Sequence, residues 1–360
     1  AVQVASAVVE EAGRMGDRVA EARGRVAGWL SRANSDPSID IRHAEAEANE
    51  AIAFLEAQTD DLGAARAWQL KASIRWVLMD YGGRVSASER AASLARRARA
   101  GWDEAEAMAN IVYGLVMGDV PLEECDRRIG RILEDARSGG SRRLEADALA
   151  CLAHIAADRG ERARADELIA EAVHLYRDVG RETEYWGARA LNLDSTSPWW
   201  FGQVETAEAV LREAYEALGR LGEVGVRSTV AAFLALALVD RGEPEEALRL
   251  ADEAEALGGP WDLANPILAG VVRARVASMR GDHAEAIVHA ERAVALSDRG
   301  DDLRTQAQTR LALAESLSAA GRSEEAIAVA REALTRSERK GSVVLADRVR
   351  AFLSQVAPRS

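Results

Sequence analysis

Five histidines, two cysteines and two lysines are the residues best able to do chemistry in this chain, and their spacing does not favour it. His43, His154, His174, His283 and His289 contain no H-x-x-x-H pair and no H-E-x-x-H motif. His283 and His289 are six residues apart, which turns them about 120° from one another on a helix and argues against a shared metal ion. Cys125 and Cys151 lie outside any C-x-x-C motif and read as small buried apolar residues. Neither Lys71 nor Lys340 sits in a G-x-x-x-x-G-K-[ST] phosphate loop, so this segment is not expected to hydrolyse ATP. A serine nucleophile would need a G-x-S-x-G turn after a strand, and no stretch reads as a strand. Pairs of Asp and Glu are abundant, but they fall in the first turns of helices or on solvated faces, where capping and solubility explain them. The expectation is no enzyme, no metal and no cofactor.

The charge balance points the same way. Lys and Arg number 46 against 59 Asp and Glu, a net charge of −13 over 360 residues, which repels a polyanion and argues against nucleic acid as a partner. A content of 48% hydrophobic and 29% charged residues is enough for a packed core. The longest apolar run, Val230 to Val239, is well short of the roughly 20 residues a membrane span needs. The start, Ala1-Val2-Gln3-Val4, has neither an initiator Met nor the basic opening of a secretory signal, so the expectation is a cytoplasmic chain cut from something longer.

The elements that must position any functional side chain come from an internal repeat. Five segments share a Gly, an Ala five residues on and an Ala seven further: Gly160/Ala165/Ala172, Gly202/Ala207/Ala214, Gly242/Ala247/Ala254, Gly281/Ala286/Ala293 and Gly321/Ala326/Ala333. Successive glycines are 42, 40, 39 and 40 residues apart. A spacing of seven is two helical turns, so both Ala lie on one face, where a neighbouring helix can approach closely. Seven residues before each Gly is another small residue, Ala153, Ser195, Ala235, Ala274 or Ala314. Each unit therefore reads as helix A, a tight turn at Gly, helix B and a short loop. Glu243-Pro244-Glu245-Glu246 has the composition of a helix opening.

This spacing resembles the tetratricopeptide (TPR) pattern, lengthened from about 34 residues to about 40. The resemblance implies an all-α fold, an α-α superhelix of about eight helical hairpins. Residues 1–140 would be divergent repeats, 141–340 regular repeats and 341–357 a capping helix. In the divergent part Gly118 keeps the period, Gly82-Gly83 is expected to form a turn between helices Ala65–Met79 and Ser86–Ala100, and Ile41–Ala57 reads as an amphipathic helix. Residues 2–13 read as a lone helix B without a partner.

At finer grain, Pro121-Leu122-Glu123-Glu124-Cys125-Asp126-Arg127-Arg128, Arg143-Leu144-Glu145-Ala146, Arg227-Ser228-Thr229-Val230-Ala231-Ala232 and Glu338-Arg339-Lys340-Gly341-Ser342-Val343-Val344 resemble the C-terminal TPR region of large bacterial signalling proteins. Those proteins join a class III nucleotide cyclase or a LuxR-type regulator to an ATPase and then to a TPR array. The resemblance implies a non-catalytic arm for protein interaction or effector sensing, with the upstream signalling domains of the same polypeptide among its partners. The alternative is a free-standing, self-associating scaffold. Asn192 to Trp200 departs from the pattern where an apolar helix A is expected.

In a TPR superhelix the A helices line a concave groove. Counting ten, six and three residues back from each turn Gly then predicts the lining: Ala150, His154 and Ala157, then Asn192, Thr196 and Trp199, then Ala232, Leu236 and Val239, then Val271, Arg275 and Ser278, and last Leu311, Glu315 and Ser318. A mixed lining suits a protein, a peptide or a small effector. Trp29, Trp68, Trp76 and Trp186 read as gap fillers between helices. Trp199-Trp200, about 100° apart on a helix and next to Pro198, either wedges between repeats or lines a pocket.

Overall fold

The computed structural model describes residues 2–33, 36, 38–193 and 203–356, with the side chains of 191–193 left aside. The described residues form α-helices joined by short turns, with no strand among them. Two compact units divide the chain, Ala1–Leu115 and Val116–Ser360.

The first unit holds α1 (Val2–Met15), α2 (Arg18–Ala33), α3 (Ile41–Ala57), α4 (Asp61–Val77), α5 (Tyr81–Arg97) and most of α6 (Gly101–Met117). Its core gathers Val26, Leu55, Leu94 and a set of fully covered alanines, among them Ala64, Ala65 and Ala67. Contrary to the expectation for residues 2–13, α1 has a partner. It packs along α2, burying Ala5 and Ala12, and Val9 approaches Gly24 so closely that a Cβ there would lie 2.8 Å from its methyl group.

The Gly82-Gly83 expectation is also corrected. The turn falls three residues earlier, at Met79, and α5 begins at Tyr81 rather than Ser86. Gly83 instead occupies the first turn of α5, where its N–H donates to the Asp80 carboxylate over 2.9 Å, and a Cβ would come within 2.7 Å of Asp80 Cγ. Gly63 has the same relation to the Asp60 cap of α4, its N–H donating over 3.1 Å. These two glycines make room for a capping carboxylate folded over the helix end. Gly16, at φ 70°, makes the tight turn between α1 and α2, while Thr59, Met79 and Arg99 make the later ones, all with left-handed backbone at φ of 53–55°.

The second unit continues with α7 (Leu122–Ser138), α8 (Arg142–Asp158), α9 (Arg162–Asp178) and α10 (Glu182–Gly187), which runs on into a π-helical turn over Ala188–Leu193. After the undescribed stretch follow α11 (Val204–Leu221), α12 (Gly225–Arg241), α13 (Pro244–Gly258), α14 (Ala264–Met279), α15 (His283–Ser297), α16 (Leu303–Ala319), α17 (Ser323–Lys340) and α18 (Val343–Val356). Gly160, Gly242, Gly281 and Gly321 adopt left-handed φ of 77–80°, the conformation that makes Gly the natural turn residue. Gly202 lies outside the described residues, and Gly118 is not among the left-handed glycines. All ten repeat alanines following the glycines are fully covered, as are Ala153, Ala235, Ala274 and Ala314 before them. Ser195 lies outside the described residues. Each A helix packs on its own B helix and on the next A helix, so α12, α14, α16 and α18 stand side by side.

The two ends of the second unit meet. Lys340, nearly fully covered at the end of α17, donates from Nζ to the carbonyls of Gly118 at 2.6 Å and Val120 at 2.8 Å. Arg339 pairs with Asp119 at 3.0 Å, and Arg304 on α16 reaches Asp158 on α8 at 3.5 Å.

The tryptophans divide. Trp68 and Trp186 pack against core clusters as gap fillers do. Trp29 stacks edge-on against His43, and Trp76 stays 38% exposed, edge-on to Tyr81 with the Arg84 guanidinium 4.5 Å from its ring centre. Arg84 is itself buried, donates to Asn110 Oδ1 and the Ala72 carbonyl, and has its pKa lowered to about 10 by desolvation.

Candidate groove on the A helices

A helix presents residues three and four apart along one stripe, so the stripe of each A helix that faces away from its B helix is fixed by the buried alanines on the other side. On α14 that stripe carries Leu268, Val271 and Arg275; on α16 it carries Thr305, Gln308, Leu311 and Glu315. With Phe233 and Leu236 from α12 and Leu345 and Arg348 from α18, these side chains enclose about 610 Å³, part of it open to solvent. A second depression adjoins it, sharing Arg275 and Glu315 and bounded by Val239, Asp240 and Ser278. Leu236, Arg275 and Glu315, at the same position of three successive units, thus line one surface.

The other candidates lie elsewhere. His154 on α8 is almost fully covered, with Nε2 3.9 Å from Asp158, and belongs to the region where the ends of the second unit meet. Thr196 and Trp199 fall outside the described residues, as does the side chain of Asn192.

The surface is apolar in its walls and charged at its centre. Arg275 pairs with the Asp240 carboxylate of the preceding unit. Glu315 is half-buried, and desolvation raises its pKa against the opposing pull of Arg275 and Arg348. Counting back only ten residues from the turn Gly missed Thr305, Gln308 and the α18 residues Leu345 and Arg348. Leu345 and Arg348 are 40 residues after Thr305 and Gln308, so the repeat length itself carries the missing signal. The helix expected only to cap the array also forms one wall of the groove.

Cys125 and Cys151 are both buried thiols, and burial raises the pKa of each. Among the described residues no three His, Cys, Asp or Glu side chains are placed to hold a metal ion. No helix among them is long and apolar enough to cross a membrane.

A tetratricopeptide-repeat family model matches residues 271–339, which span α14 to α17 with one unit's turn at Gly281 and the next at Gly321. No curated protein matches the chain. Among solved structures, the chain is similar to BtubC from P. vanneervenii at 19% identity and a TM-score of 0.41, covering 66% of this chain and 94% of that one. A Rap protein complexed with Competence and Sporulation Factor aligns at 12% identity and a TM-score of 0.49, covering 94% and 98%. Yeast Tom70 aligns at 13% identity and a TM-score of 0.30, covering 98% and 96%.

Proposed function

We propose that the chain is a non-catalytic repeat module that binds a protein or peptide segment along the groove of its second unit. The observation that carries this reading is the alignment of Leu236, Arg275 and Glu315 from three successive A helices on one open surface with apolar walls. An open groove of this kind suits an elongated ligand gripped at several points along its length. The stretches that resemble bacterial signalling proteins extend the proposal. The chain would be the regulatory C-terminal arm of a cytoplasmic, multidomain signalling ATPase, with the upstream domains of the same polypeptide among its partners.

A peptide-display selection on the full chain and on a Leu268→Arg/Val271→Arg variant tests the binding reading. Both residues are only partly covered, so charge is added to the groove wall rather than to the core. Peptides enriched on the natural chain should lose binding to the variant while its helical melting curve is kept. Absence of enrichment on the natural chain would sink the reading. Immunoblotting of the native host with antibody to this chain tests the regulatory arm, which requires a band well above 38.7 kDa.

A second reading, a self-associating scaffold, is favoured by α1. Val4, Val8 and Met15 are 68%, 43% and 75% exposed on that one helix, an apolar surface that a second copy would cover. Sedimentation as a monomer at every concentration would exclude it.

A further inference from the structure

The groove holds a carboxylate that makes no direct contact with a cation of the chain. Glu315 projects from α16 between the apolar walls; Arg275 and Arg348 act on its carboxylate from a distance, but it has no hydrogen bond and no ion pair within 4.0 Å among the described residues. Of these two cations, Arg275 is engaged by Asp240. Arg348 stands exposed at the rim, on α18. A partly desolvated carboxylate without a direct partner is costly to keep charged, and an incoming cation in contact with it would add to the distant pull of the two arginines. The wider field agrees in sign. Of the 59 acidic and 46 basic residues, 17 and 14 fall in residues 1–115, leaving 42 acidic and 32 basic residues in the second unit. Cationic ligands are therefore drawn towards it.

We propose that the groove takes a peptide segment of a protein partner in which a lysine or arginine stands between apolar side chains. The cation meets Glu315, and the apolar neighbours rest on Phe233, Leu268 and Val271. This rests on the groove-binding reading above and specifies its ligand. The apolar walls from α12 to α18 on both sides of Glu315 favour an extended segment over an isolated amine, because an amine alone would leave them uncovered.

The test uses the full chain and a phage-displayed library of random dodecapeptides. Selection runs in parallel on the natural chain, Glu315→Gln, Glu315→Lys and the control Glu324→Gln, an exposed position in the first turn of α17. The natural chain and the control should enrich peptides with Lys or Arg flanked by apolar residues. Synthetic versions of those peptides should bind Glu315→Gln at least about 10-fold more weakly, the size expected for one charge-assisted contact. Glu315→Lys should select acidic peptides instead. Replacing the peptide's own lysine by norleucine should weaken binding to the natural chain to the same extent, a comparison that leaves the protein's folding untouched. Enriched peptides with no preference for a cation, or equal binding to Glu315→Gln, would overturn the ligand assignment and leave the groove reading standing. No enrichment on the natural chain would overturn both.

Discussion

At the scale of single residues, the backbone and the buried charges make separable predictions. Arg99 is exposed yet held at φ 55°, a conformation that costs an ordinary side chain about 1 kcal/mol relative to Gly. Arg99→Gly should therefore raise the melting temperature, while Gly242→Ala, at φ 80°, should lower it. Calorimetric scans showing the same sign for both would contradict this account. Asp158 provides a pH signature. Burial raises its pKa from 3.8 to about 6 despite Arg304 and Lys340 nearby. A raised pKa means the folded state holds the proton more tightly than the unfolded chain. Its contribution is full below about pH 4 and is lost as pH rises through about 6, a change of about 3 kcal/mol. Asp158→Asn keeps the uncharged form at every pH, so it should gain stability relative to the natural chain between pH 4 and 7. Melting curves of the two proteins that run parallel across that range would refute the assignment.

Among the elements, the helix pairs of the second unit were legible because one constraint repeats. Two helices can approach closely only where side chains are small, and the Ala positions at fixed distances from each turn Gly record that contact. Ala274→Trp should accordingly overpack α14 against Ile287, Ala290 and Leu313 and cost about 1–3 kcal/mol in urea unfolding. Glu315→Gln, on the opposite stripe of a neighbouring helix, removes a partly desolvated charge and should not lower the unfolding midpoint. Equal losses for both would mean the faces are misassigned. The first unit was harder to read because Thr59, Met79 and Arg99 make three of its turns, while Gly63 and Gly83 mark capped helix starts. A Gly in the sequence does not distinguish these two uses. The signal that does is an Asp three positions before it, as in Asp60-Asp61-Leu62-Gly63 and Asp80-Tyr81-Gly82-Gly83. Of the candidate site, Leu236, Arg275 and Glu315 could be placed together by counting alone. His154 could not, because nothing in the spacing shows that it is covered beside Asp158, which Arg304 reaches from a helix far away in sequence.

For the second unit as a whole, the decisive feature is the junction between its ends. Lys340 and its acceptors Gly118 and Val120 are separated by 222 and 220 residues, a link no local pattern encodes. Lys340→Met should cost about 3 kcal/mol by removing two charge-assisted hydrogen bonds and leaving their carbonyls covered. It should also broaden the unfolding transition, because an array linked only through nearest neighbours can unravel stepwise. A sharp transition unchanged in midpoint would show the junction to be incidental. The same junction bears on mechanics. A simple stack of helical pairs stretches like a spring, each pair yielding in turn under low tension. Stapled end to end, this unit should behave as a hoop. Tension on its two ends falls first on the Lys340 contacts, and the groove keeps its width until they tear.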